Sequence, residues 1–221
     1  MKRKIIITCI MLVAIIAAGN AQFFVEGNIR VVSDSNPSYD PNIYPLNNLS
    51  IDITPQAGYW LNDNIAVGTK VSLKQTVSKY LITDPADPNR KIEKKISTPE
   101  WGISAFGRYK LWGKEKFSLL VDGSIGIDRS SSKEKTGSAN PEKLNTRTKI
   151  GISAYPLISY DLNDKFSMVA VCHFLRLDLY SYTVKNENNG EKYRNNHIGF
   201  HTQSTIFSSL AGFKIGFIYN F

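Results

Sequence analysis

The chain has 221 residues, with 27 Lys and Arg against 19 Asp and Glu, two cysteines and a mean hydropathy of −0.22. Two cysteines build no disulfide framework, and an apolar fraction of 42% is too high for a disordered chain. The slightly negative hydropathy excludes a bundle of apolar membrane helices, and the length suits one all-β domain.

Met1-Lys2-Arg3-Lys4 is a basic start, Ile5 to Ala18 is an apolar run of fourteen residues, and Gly19-Asn20-Ala21 puts small residues where signal peptidase reads them. The run is short for a spanning helix, which needs about 20 residues. Residues 1–21 are therefore read as a cleaved signal peptide and 22–221 as the exported domain. Removing three basic residues leaves a net charge of +5. Cys9 sits inside the apolar run and not at a cleavage site, which argues against lipid attachment. Cys172 becomes the only thiol, which suits an exported chain if it is buried or faces lipid.

Eight stretches of strict alternation follow, each the signal of a strand with two different faces. Phe23 to Val32 sets Val25, Ile29 and Val31 against Glu26, Asn28 and Arg30. Ile51 to Leu61 sets Ile51, Ile53, Ala57 and Tyr59 against Asp52, Thr54 and Gln56. From Ile65, Val67, Val71 and Leu73 oppose Lys70, Ser72 and Lys74; from Pro99 to Trp112, Trp101, Ile103, Ala105, Tyr109 and Leu111 oppose Glu100, Ser104, Arg108 and Lys110. The fifth opposes Phe117, Leu119, Val121, Ile125 and Ile127 to Asp122, Ser124 and Asp128, and the sixth opposes Ile150, Ile152, Ala154 and Ile158 to Arg147, Lys149 and Ser153. The seventh, from Phe166, has Met168, Ala170, Cys172 and Phe174 on its apolar side. The eighth runs through Phe207, Ala211, Phe213, Ile215, Phe217 and Tyr219 to Phe221, opposite Lys214 and Asn220.

Connections alternate in length. Asn62-Asp63-Asn64, Gly113 to Lys116 and Asp161 to Lys165 are short turns, whereas Ser33 to Ser50, Thr83 to Ser97, Arg129 to Asn145 and Lys185 to Asn196 are long and polar. Both chain ends fall on the short-turn side. Tight turns on one side, long loops on the other and an even strand count predict an eight-stranded antiparallel up-and-down transmembrane β-barrel.

A soluble barrel turns its apolar face inward, and a membrane barrel inverts it. None of the apolar faces carries a charge, and they gather aromatics next to the short turns: Tyr59, Tyr109, Phe117, Tyr160, Phe166 and Tyr219, with Trp60 and Trp112 at the same level. An aromatic belt at a lipid–water boundary is expected of a spanning barrel, since amphipathic rings rest well among headgroups. The final segment alternates large apolar residues through Phe217 and Tyr219 to a terminal Phe221. This resembles the C-terminal strand that the barrel-assembly machinery recognises in Gram-negative outer-membrane proteins. The whole pattern resembles the small eight-stranded outer-membrane family that includes the OmpX, OmpW and OmpA-barrel proteins. The resemblance covers residues 23 to 221, implies an outer-membrane location, and carries over no functional residue.

Three places strain the strand assignments. Pro55 and Pro156 each forfeit a ladder hydrogen bond, which predicts a bulge at both. Leu175, Leu177 and Leu179 alternate out of step with Met168, Ala170 and Cys172, which predicts a bulge near His173.

Eight strands enclose a space that side chains fill. The inward face is expected to hold Glu26, Arg30, Asp52, Lys70, Lys74, Arg108, Asp122, Lys149 and Lys214 as a network of ion pairs, together with Glu100, Lys110, Asp128, Arg147, Arg176 and Asp178. Positive residues outnumber negative ones nine to six, which leaves a narrow ion or small-solute channel as an alternative. His197 and His201, four apart on a strand, stand about 13 Å from one another, too far to share a metal ion. Some eight-stranded barrels modify lipid A with a His and a Ser two apart on a strand and an acidic partner; His201 with Ser204 has the wrong spacing, and Gly199 stands two after His197. No catalytic residue, cofactor or metal is assigned, and no nucleic-acid partner fits an exported chain. Binding is expected on the long loops. Arg90, Lys91, Lys94, Lys95, Lys133, Lys135 and Lys143 are basic groups there that would meet lipopolysaccharide phosphates. The reading is a monomeric outer-membrane barrel with a structural or surface-interaction role.

Overall fold

The structure, a computed structural model, describes residues 22–34, 43–84, 87–137, 139–172, 175–187, 189–202 and 213–221. Ten strands follow in chain order: β1 (Phe23–Asp34), β2 (Ile43–Trp60), β3 (Ile65–Asp84), β4 (Asp87–Lys114), β5 (Phe117–Thr136), β6 (Glu142–Asp161), β7 (Phe166–Cys172), β8 (Leu175–Asn186), β9 (Lys192–Thr202) and β10 (Phe213–Asn220). All pairings are antiparallel. β1 to β7 and β10 close a ring of eight, because β1 pairs with β10, β10 with β7 and β7 with β6. β8 continues the line of β7 along β6, and β9 runs beside β8.

The ring has a measurable stagger. From Ile29, paired residues lead one way through Ile53, Leu73, Trp101 and Arg129 to Thr148 on β6. The other way they lead through Ile215 and Ala170 to Ile158 on the same strand, ten residues further on (148 against 158). With a rise of about 3.3 Å per residue and strands about 4.8 Å apart, that offset tilts the strands by about 40°.

Two of the short turns are built alike. In Leu61-Asn62-Asp63-Asn64-Ile65 the Asn62 side-chain oxygen accepts the N–H groups of Asn64 and Ile65, both at 2.9 Å. In Leu162-Asn163-Asp164-Lys165-Phe166 the Asn163 oxygen accepts those of Lys165 and Phe166, again at 2.9 Å. Each asparagine satisfies backbone donors that a tight reversal leaves unpaired.

At the other end the strands run much further than the alternation suggests. The segments read as long loops are largely ladder: β3 reaches Asp84, β4 starts at Asp87, β5 reaches Thr136, and β8 and β9 end at Asn186 and Lys192. β4 alone is 28 residues long, about 90 Å of extended chain. Above the apolar zone both faces of a hairpin meet water, so the hydrophobic contrast that marks a strand disappears while its hydrogen bonds remain.

The irregular places also differ from expectation. Pro55 pairs with Gly27 in an unbroken register and needs no bulge. Pro156 pairs with Val121, also in unbroken register. It lies beside an interruption in its other neighbour: Leu157 pairs with Val171 but Ala154 with Leu177, so two residues of β6 face five of the β7–β8 line. That odd excess of three reverses which side chains point outward, the phase change the sequence predicts near His173, a residue itself outside the described set. Phe207 and Ala211 also lie outside it; the described part of the last predicted strand begins at Phe213, and β9, paired with β8, begins within the segment read as loop, at Lys192 to Asn196.

Candidate functional site

The barrel is inside out. Large apolar side chains lie on its outer surface, among them Ile53, Val71, Trp101, Ile103, Ile125, Ile150, Leu177 and Phe217, all at least 40% exposed. The buried side chains include Glu26, Asp52, Lys70, Arg108, Asp122, Asp178 and Lys214. A fold in water would reverse both sets.

Near the short turns the outward face carries Tyr59, Tyr109, Trp112, Phe117 and Phe166, all exposed, and Tyr160 and Tyr219 beside them. Paired residues meet ring to ring in tilted contacts, Phe117 with Tyr160 at 4.7 Å and Phe166 with Tyr219 at 4.9 Å. A register shift between Lys110 and Trp112 lets the neighbours Leu111 and Trp112 both face out. Trp60, expected with this group, turns the other way: its ring meets Phe24 at 5.8 Å and packs on the interior apolar cluster. Cys172, expected on the outward side with Met168, is 4% exposed. Phe217 is on the outer wall, and the terminal Phe221 donates its backbone N–H to the carbonyl of Phe23 at 3.0 Å while its ring meets Phe23 and Tyr219.

The interior is layered. Toward the short turns Phe24, Ala66, Phe106, Leu120, Leu157, Val169, Val171 and Ile218 form an apolar cluster. Sequence reasoning missed it, although these residues stand on the polar parity of their strands and could have been noticed there. Within this layer lies Arg108, 1% exposed. Its Nε and Nη2 donate to Asp122 at 2.7 and 2.9 Å, and its Nη1 is 2.8 Å from the Glu26 carboxylate on the other wall. The guanidinium lies 5.3 Å from the Phe24 ring and 5.7 Å from that of Phe106. Glu26 also accepts from Asn28 at 2.7 Å.

Beyond this layer, toward the hairpins, a cavity of about 210 Å³ opens. Lys214 donates to Asp52 at 2.9 Å and to Thr54 at 2.7 Å, and Arg30 reaches the same Asp52 at 3.4 Å. Lys70 spans the interior to donate to Ser124 at 3.0 Å and the Tyr155 hydroxyl at 2.8 Å. Lys149 pairs with Asp128 at 2.8 Å and Arg176 with Asp178 at 2.8 Å. Lys74 and Glu100 line the cavity as cross-strand neighbours, and neither forms an ion pair among the described residues. Of the expected interior charges the structure thus brings together Glu26, Arg108 and Asp122 in one cluster and Arg30, Asp52 and Lys214 in another. A second cavity, of about 180 Å³, lies at the short-turn end between Trp60, Lys110, Leu120 and Ile218, and shares no lining residue with the first.

No family model and no curated protein matches the chain. Solved structures similar to it include three that match at 12% identity over 92% of this chain and the whole of the other. They are Neisserial surface protein A (NspA), with a TM-score of 0.40, a major outer membrane protein from Thermus thermophilus at 0.43, and Ail, the attachment invasion locus protein of Yersinia pestis, at 0.37. These likenesses assign no role to any residue here.

The histidines singled out by spacing do not meet as a site. His197 stacks on Tyr180 at 4.7 Å between ring centres, and His201 is paired in register with Arg176 on β8. Nearby, Arg147 lies 4.1 Å over the Tyr182 ring. Among the described residues no group of three metal-ligating side chains comes together.

Proposed function

We propose that this chain is a monomeric integral barrel of the outer membrane whose lumen is closed, and whose work is structural or done at the surface by its projecting hairpins. The observation that carries this is the inversion of exposure, apolar outside and ionic inside, on a ring whose strands pair with one another. An outward apolar band bordered by aromatics suits a hydrocarbon layer about 25 Å thick. The lumen is closed by the layer in which Arg108 ties Glu26 and Asp122 across the barrel amid Phe24, Phe106 and Leu157. Export follows cleavage after Ala21, and the alternating Phe217, Tyr219 and Phe221 serve as the assembly signal for insertion.

The test combines two measurements on the full mature chain. Unboiled protein from outer membranes should migrate differently on a gel from boiled protein, as folded barrels resist detergent. In planar bilayers it should give no steady conductance. A second reading, a narrow channel, draws on the two cavities that approach the Arg108 layer from opposite sides. Conductance steps of defined size that shrink when Lys70 is neutralised would replace the first reading with that one.

A further inference from the structure

The basic groups of the hairpins are not equivalent once their directions are known. Lys94 points inward and pairs with Glu134 at 2.8 Å, Lys143 pairs with Glu187 at 3.1 Å, and Arg90 lies 3.8 Å from Asp84. Lys95, Lys133 and Lys135 are exposed on the outer face, and none has an ion-pair partner among the described residues. They also stand together. Lys79 on β3 is the direct cross-strand partner of Lys95 on β4, which is the direct partner of Lys135 on β5, and Lys133 is one outward position below. Like charges held directly opposite, with Cβ atoms about 5 Å apart, destabilise a sheet. Only Lys79 has relief nearby, from Glu93 at 3.6 Å.

This row stands on the same face as the apolar wall and directly above it. Following β5 outward, Ile125 and Ile127 give way to Arg129, which is exposed and pairs with Trp101 at the upper edge of the apolar zone. Lys133 follows four residues later, about 10 Å higher once strand tilt is allowed for. The first cation is therefore at headgroup height and the lysine row just beyond it, where the sugar and phosphate groups of an outer-leaflet glycolipid lie.

We propose that the outer face of β3–β4–β5 is a binding site for a phosphorylated glycolipid of the outer leaflet, with its acyl chains on Ile103, Ile125 and Ile127 and its phosphates held by Arg129, Lys95, Lys133 and Lys135. The bound phosphates relieve the repulsion among the lysines, and each lysine contributes the attraction of a basic group at an anionic surface. This rests on the membrane-barrel reading and adds to it a fixed lipid position on one sector of the wall.

The test uses the full mature chain in nanodiscs of zwitterionic phospholipid, titrated with bisphosphorylated lipid A and followed by native mass spectrometry. The native chain should retain the lipid, and the Lys95→Gln/Lys133→Gln/Lys135→Gln variant should bind it on the order of a hundredfold more weakly. A Lys114→Gln/Lys116→Gln control at the short-turn end should bind as the native chain does. Equal retention by the triple variant, equal binding of dephosphorylated lipid A, or displacement by millimolar inorganic phosphate with no need for acyl chains would each overturn the proposal. The boiled and unboiled gel pattern of the same samples keeps the two readings apart: a heat-dependent shift with no lipid preference rejects the site alone, and no shift rejects the barrel.

Discussion

At the short-turn end of the lumen the few buried charges lie in an apolar setting and are matched at close range, whereas toward the hairpins charges of both signs line a cavity, some in close pairs and others divided between partners or held by neutral groups. Arg108 meets two carboxylates, one of them through two parallel hydrogen bonds, with aromatic rings against it. Asp52, by contrast, divides itself between Lys214 and the more distant Arg30, and Lys70 is held by neutral hydroxyls. The difference is dielectric. Where side chains exclude water an unmatched charge is costly, so partners are fixed; beside a cavity water can take up what a side chain leaves. On the proposed reading, one barrel thus combines a sealing layer and a water-accessible vestibule.

The strongest way to break that contrast is to remove Arg108. In Arg108→Leu, Glu26 and Asp122 remain buried without their shared cation, and the expected loss is about 3–5 kcal/mol, the usual result of orphaning a buried ionic partner. The temperature at which the unboiled band converts to the boiled one should fall steeply. A triple exchange, Glu26→Gln/Arg108→Leu/Asp122→Asn, should recover much of the loss, because no ion is left unmatched. If the single variant is as heat-resistant as the native chain, the layer is hydrated and does not seal.

The outer wall supplies the next test. Ile103 is 52% exposed on the apolar band, and its neighbour Ser104 lines the cavity. Ile103→Arg should cost about 1–3 kcal/mol if that face meets hydrocarbon, less than at the midplane because Trp101 marks the nearby edge of the apolar zone. Ser104→Asn, one residue away but facing the lumen, should stay within about 1 kcal/mol of native in the same gel assay. Equal effects at the two positions would mean that the wall does not distinguish lipid from lumen.

How far this was legible in the sequence follows the same contrast. Strands crossing the apolar zone have one face in lipid and one in the lumen, so Ile51 to Tyr59 and Trp101 to Tyr109 announce themselves by alternation. The hairpin ladder around Lys91-Ile92-Glu93-Lys94-Lys95-Ile96 does not, since water meets both of its sides. The phase change after Cys172 was visible because an odd insertion moves leucines to the other parity. The apolar layer was missed because Phe24, Phe106, Leu120 and Leu157 sit on a parity judged polar from the strand as a whole. Which charges pair was beyond strand-by-strand reading: Glu26 meets Arg108 across the lumen only because a stagger of ten residues brings β1 and β4 to matching heights.

A milder probe of the vestibule is Lys214→Met. Asp52 keeps Arg30 at 3.4 Å and the Thr54 hydroxyl at 3.3 Å, and it borders the cavity. The expected loss is about 1–3 kcal/mol, well short of Arg108→Leu. A loss equal to that of Arg108→Leu would show that the hairpin half of the lumen is as tightly sealed as the other.

The smallest effect belongs to the hairpin tips, beyond the apolar band. The Glu187 carboxylate accepts from Lys185 at 3.0 Å, Lys143 at 3.1 Å and Thr146 at 2.9 Å, and these bonds hold its pKa down to about 2 from an ordinary 4.5. Because the folded value is depressed, the bonds support the hairpin contact above pH 4.5 and are lost as the pH falls toward 2. The contact joins β8 to the start of β6, where the Glu187 N–H also donates to the Leu144 carbonyl at 3.0 Å. Carboxyl carbon shifts of Glu187, followed by NMR in detergent micelles, should therefore show a midpoint well below 4, with Lys143→Met moving it upward. A midpoint near 4.5 in the native chain would mean that the two hairpins are not joined there in solution, while leaving the ladder below them as described.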